Sequence, residues 1–111
     1  MQIIKSIQGP IAILSLKGPL VADELPVLQQ HVEDCSRSGV FRLVLDLKDT
    51  PFIDSAALEK IQNIASDMGK RGGDVRIACP NEVCRDIFVA TRIGSFVQVL
   101  ADKEAATRSL L

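Results

Sequence analysis

Apolar positions along this chain fall into two periods that alternate. Ile3 to Ile7 and Ile11 to Leu16 are short β-rich runs separated by Gly9-Pro10, a turn pair that suits a hairpin, and Gly18-Pro19 ends the second run. From Asp23 onward the period lengthens. Leu25, Leu28, Val32 and Cys35 recur at three- and four-residue spacing, which predicts an amphipathic helix with Asp23 as N-cap, Pro26 in its first turn and Gly39 as its stop. Phe41 to Leu47 is apolar on both faces, as expected of a central strand covered by helices.

After an Asp49-Thr50-Pro51 turn, Leu58, Ile61, Ala65 and Met68 mark the buried stripe of a second helix ending near Gly69, with Gly72-Gly73 beyond it. Val75, Ile77 and Cys79 alternate as the next strand, and Pro80 stops it. Asn81 caps a predicted third helix whose Val83, Ile87 and Ala90 face inward until Gly94. Phe96 to Leu100 predicts a last short strand, and Asp102 caps a final helix through Leu110. The order β-β-α-β-α-β-α-β-α makes the helix-separated strands mostly parallel by right-handed crossovers, beside an antiparallel opening hairpin. The predicted class is α/β: a single domain over residues 1–111 with a mostly parallel central sheet, an N-terminal β-hairpin and four helices.

Size and charge narrow the function. A chain of 111 residues buries roughly two thirds of its unfolded surface in one core. Thirteen basic and fourteen acidic residues are scattered, and Trp and Tyr are absent, so neither a phosphate-neutralising stripe nor a base-stacking platform exists; direct nucleic-acid binding is not expected. No apolar run reaches the length of a signal or membrane helix, which predicts a cytoplasmic protein without membrane insertion. Cys35, Cys79 and Cys84 form no CxxC pair and have no clustered histidines, which predicts reduced, mostly buried thiols and no metal site.

The chemistry concentrates in Leu43 to Leu58, LVLDLKDTPFIDSAAL: a buried strand, a short loop at its carboxyl end where α/β sheets place their working surface, then Asp54-Ser55 at a helix start. A serine hydroxyl there is open to partners and close to backbone N–H groups that favour added negative charge.

Strand, acidic end, Pro51-Phe52-Ile53-Asp54-Ser55 and amphipathic helix together resemble the signature of the STAS domain, the sulfate transporter and anti-sigma factor antagonist family. Supporting likenesses are Leu16-Lys17-Gly18 at an early strand end, the Gly72-Gly73 pair, and Asn81, Phe88 and Arg92-Ile93 in the third-helix region. The resemblance implies a bacterial anti-sigma factor antagonist, which binds an anti-sigma factor serine kinase and so releases a sigma factor. Ser55 is then the residue phosphorylated by the kinase and restored by a PP2C-type phosphatase. Asp54 orients the serine, Asp46 completes a polar edge beside it, and Phe52, Ala56, Ala57, Leu58, Gly18 and Val21 form the docking surface. Two positions differ from the family pattern: Ala56-Ala57 stand where Ser or Thr and then Gly usually follow the serine, and Val21 stands where antagonists tend to carry an acid.

Three other readings compete. Ser55 is, by local chemistry alone, a helix N-cap. Ser55, His31 and an aspartate are the minimum for a hydrolytic triad, but no G-x-S-x-G elbow is present and His31 lies on a helix beside core-facing Val32, so no enzyme activity or cofactor is expected. The last alternative keeps the fold without the switch, as a non-phosphorylated STAS adaptor subunit in a larger signalling or transport assembly.

Overall fold

The computed structural model describes all 111 residues. Its elements in chain order are β1 (Gln2–Gln8), β2 (Ile11–Lys17), a 3-10 turn (Ala22–Glu24), α1 (Leu25–Arg37), β3 (Arg42–Asp46), α2 (Ser55–Lys70), β4 (Asp74–Ala78), α3 (Glu82–Thr91), a second 3-10 turn (Ile93–Ser95), β5 (Gln98–Leu100) and α4 (Lys103–Ser109). The five strands lie side by side in sequence order. β1 and β2 form the predicted antiparallel hairpin, and every later pair is parallel.

That strand order has a consequence for the layers. When successive right-handed crossovers always step to the next strand on the same side, their helices all land on one face of the sheet. Leu14 and Leu16 of β2, Leu43 and Leu45 of β3, and Val75 and Ile77 of β4 accordingly form one large core with Leu28, Val32, Ile61, Met68 and Phe88 of α1, α2 and α3. Only α4 covers the other face, where Ala106 and Leu110 close over Ile11, Ile13, Val44 and Ala78. β3 is thus buried on both faces, as its unbroken apolar run predicts.

Several helix details differ from the sequence expectations. α1 has Glu24 at its N-cap with no side-chain capping bond, because Asp23 is taken up in the preceding 3-10 turn. On α2 the buried stripe is Ala57, Ile61, Ile64 and Met68, so Leu58 and Ala65 are only partly covered. On α3 it is Cys84 and Phe88, with Ile87 half-buried and Val83 and Ala90 exposed. On α2 the expected Ile61 and Met68 are buried and the stripe is only widened toward Ala57 and Ile64, whereas α3 is turned by about one residue from the expected phase. α3 also ends at Thr91, before Gly94, with Arg92 in the left-handed conformation (φ 57°). Cys79 leaves the strand at φ 56°, and Phe96 lies ahead of β5 with its side chain exposed.

The Gly72-Gly73 pair serves two separate geometric needs. Gly72 takes φ +79°, closing the turn out of α2, whereas a Cβ on Gly73 would lie 1.9 Å from the carbonyl oxygen of Phe41. That same oxygen accepts from Asp74 N at 3.1 Å and begins the β3–β4 ladder. A side chain at position 73 therefore forces the two central strands apart where their pairing starts. Gly73→Ala should lose about 1–3 kcal/mol or more of stability, read as a lowered urea midpoint, whereas Gly69→Ala, whose Cβ meets nothing within 4 Å, should not fall.

Candidate functional site

The loop between β3 and α2 is held on three sides. Thr50, 1% exposed, donates its hydroxyl to Leu16 O at 2.8 Å, and its own carbonyl accepts from Cys84 Sγ at 3.6 Å. Asn81 Nδ2 donates to Pro51 O at 3.0 Å, which ties the start of α3 to the loop. On the third side runs the segment after β2. Gly18 N donates to Asp49 O at 3.0 Å, Leu20 N to Phe52 O at 3.1 Å, and Asp54 N to Leu20 O at 3.2 Å, a one-residue extension of the sheet in which Leu20 pairs with Ile53. Strand-like alternation follows from that pairing. Ile53 turns into the core and Phe52 turns outward, 47% exposed.

Asp54 joins the two segments. Its Oδ1 accepts from Ala57 N at 2.9 Å, capping α2, and its Oδ2 accepts from Ala22 N at 2.9 Å, across to the 3-10 turn. With Asp54 as the cap, Ser55 becomes the first residue inside the helix rather than the cap itself, and it is exposed. The competing reading of Ser55 as an N-cap is therefore overturned, because the carboxylate already holds the amide that the hydroxyl would need. Around Ser55 lie the first-turn N–H groups, where the helix end carries roughly half a positive elementary charge.

The expected site residues divide. Phe52, Asp54, Ser55, Ala56 and Leu58 come together at the head of α2, with Ala56 and Leu58 partly exposed. Gly18, at φ +122°, and Val21 line the segment that Asp54 and the loop hold in place. Two expectations fail. Ala57 has no exposed surface and belongs to the large core, so it presents nothing to a partner. Asp46 is 7% exposed and shares the alternate face of β3 with Val44, on the α4 side of the sheet. Its Oδ2 accepts from Ser15 Oγ at 3.0 Å, and its Oδ1 accepts from Lys48 N at 3.1 Å. It braces the end of β3 against β2 instead of completing an edge beside Ser55.

Val83 is a residue that sequence periodicity assigned to the core and the structure places outside. It is 53% exposed in the first turn of α3, the turn whose cap Asn81 holds the loop carbonyl of Pro51. The signal was present in the Cys84–Phe88 pair, four residues apart and one turn from an Asn cap. The thiols offer no nucleophile here. Burial pushes the Cys35 and Cys84 thiols up, and burial together with Asp46 does the same to Cys79, so all three stay protonated near neutral pH. No cluster of three or more His, Cys, Asp or Glu with metal-holding geometry occurs, and no helix is long and apolar enough to cross a membrane.

Losing the Asp54 carboxylate should cost about 1–3 kcal/mol, because a helix cap and a charge-assisted bond to a second segment disappear together. Asp54→Ala should show this as a lowered melting temperature, with faster amide exchange at both Ala22 and Ala57; protection unchanged at Ala22 would mean that the cross-segment bond contributes nothing.

Comparison with known proteins gives the same architecture. No curated protein matches the chain. Among solved structures, a candidate anti-sigma factor antagonist from Thermotoga maritima superposes with a TM-score of 0.90 at 23% identity, over 97% of this chain and 93% of that one. The Bacillus cell fate determinant SpoIIAA in its phosphorylated form gives 0.73 at 14% identity, over 97% and 99%. A murine Solute Carrier 26 family anion transporter also gives 0.73 at 14% identity, over 91% of this chain but 18% of that one. At these identities the likeness is one of fold. The family model for the STAS domain matches residues 2–106, nearly the whole chain, and the protein belongs to the STAS domain family.

Proposed function

We propose that this domain is a bacterial anti-sigma factor antagonist that binds an anti-sigma factor serine kinase and thereby frees a sigma factor in the cytoplasm. Reversible phosphorylation of Ser55, reset by a PP2C-type phosphatase, controls the association. The observation that carries this reading is the division of labour at the head of α2, where Asp54 does the capping and Ser55 is left exposed. The domain itself performs no catalysis in this scheme and needs no cofactor.

The switch follows from electrostatics. A phosphate on Ser55 adds about −1.5 to −2 charges at a helix N-terminus, where the fold tolerates them. A partner packed over Phe52, Ala56 and Leu58, with Gly18, Val21 and Val83 at its margin, would have to strip water from that dianion beside the Asp54 carboxylate. An uncompensated buried charge costs several kcal/mol in order of magnitude, enough to separate the two proteins while the domain stays folded. Ala56-Ala57 are compatible with this scheme, because Ala57 lies inside the core and only Ala56 reaches the surface.

The shared fold with a transporter segment favours a second reading, a STAS adaptor without phosphorylation. Mass spectrometry separates the two. Incubated with ATP and the purified anti-sigma factor kinases of its source organism, the intact protein should gain about 80 Da, and Ser55→Ala should not; no gain with any kinase, or a gain that persists in Ser55→Ala, would reject the switch. Ser55→Asp should abolish kinase capture with a melting temperature within a few degrees of wild type. Equal recovery of kinase by both proteins would count against the docking surface.

A further inference from the structure

Arg85, Phe88 and Val89 follow one another at i, i+3 and i+4 on one face of α3, and Arg92, in the left-handed cap just beyond the helix, borders the same surface, so an arginine stands at each end of an apolar pair. This face, Arg92 and β5 border an open groove of about 470 Å³. Buried Phe88 forms its floor, and half-buried Val99 and Leu100 of β5 line the far wall. Val89 stands 74% exposed at its rim, an apolar side chain that the fold itself leaves uncovered. Both arginines are exposed, and neither takes part in any of the chain's ion pairs. Asp102, the acid that follows the groove's last residue, spends its Oδ1 on capping α4 through Ala105 N.

We infer that this groove binds a small amphiphilic carboxylate, its hydrocarbon body over Phe88 and Val89 and its headgroup held by Arg85 or Arg92. The charge complementarity is specific to an anion, because guanidinium groups without an acidic partner present several donors to one carboxylate. The size fits a small molecule, since ligand pockets span roughly 300–1,000 Å³. An added peptide strand fits poorly, because β5 offers an edge of only three residues. The inference is independent of the Ser55 switch.

Octanoate is a suitable probe and octanol its neutral counterpart, each titrated into the full isotope-labelled chain and followed by amide NMR shifts. Octanoate should produce saturable shifts confined to the groove, at Phe88, Val89, Ser95, Val99, Leu100 and Ala101, with an affinity about tenfold above that of octanol. The double variant Arg85→Gln, Arg92→Gln, altered only at exposed positions, should lose that advantage and keep the remaining spectrum, and Ser55→Ala should bind like wild type. Shifts that fail to saturate, that map elsewhere, that are equal for octanoate and octanol, or that survive the double substitution would each overturn the proposal.

Discussion

One carboxylate holds the working end of this molecule together. Asp54 accepts from the first turn of its own helix with one oxygen and from Ala22, more than thirty residues earlier in the chain, with the other. Charge-assisted bonds of this kind are shorter and stronger than neutral ones, and two of them on one side chain leave it little freedom. The loop before α2, the segment after β2 and the entry angle of α2 are thereby fixed as a unit. Ser55 inherits its position from that unit. Its hydroxyl is set at the helix head without contributing to the cap that holds it there.

Beneath this clamp lies the sheet. β3 is buried on both faces and delivers the loop from the centre of the molecule, where the backbone is least able to shift. Its partner β4 reaches it only because Gly73 lets the chain pass directly over the Phe41 carbonyl. At the other end of β3, Asp46 joins Ser15 across the β2–β3 pair, so the strand is tied laterally just before the loop begins. A polar residue read from the sequence as part of the site is in this way part of its foundation.

Much of the fold was legible because it rests on local period and local punctuation. The Gly9-Pro10 hairpin, the two-sided apolar run of β3, and the caps Asn81 and Asp102 all act within a few residues of themselves, and each appears in the structure where the pattern put it, whereas at the start of α2 the cap is Asp54 and not Ser55. The phase of α2 and α3 was less legible. Leu58, Ala65, Val83 and Ala90 are as apolar as the residues that are actually buried, and an apolar side chain at a helix margin carries no mark of which way it turns. The same ambiguity put Ala57 on the expected docking surface, although it packs in the core.

By itself, then, the sequence determined the class of fold, the mostly parallel run of the helix-separated strands beside an antiparallel hairpin, and the segment at which chemistry concentrates, because hydrophobic period, glycine and proline geometry and helix capping are properties of neighbouring residues. Tertiary structure alone decided that Asp54 reaches across to Ala22, that Asp46 lies on the α4 side of the sheet, and that two unpaired arginines, one on α3 and one just past its end, border an apolar groove against β5. Those relations join residues far apart in the chain. They depend on the face toward which each side chain is turned when the layers close, and a one-residue shift in phase, invisible in composition, reverses it.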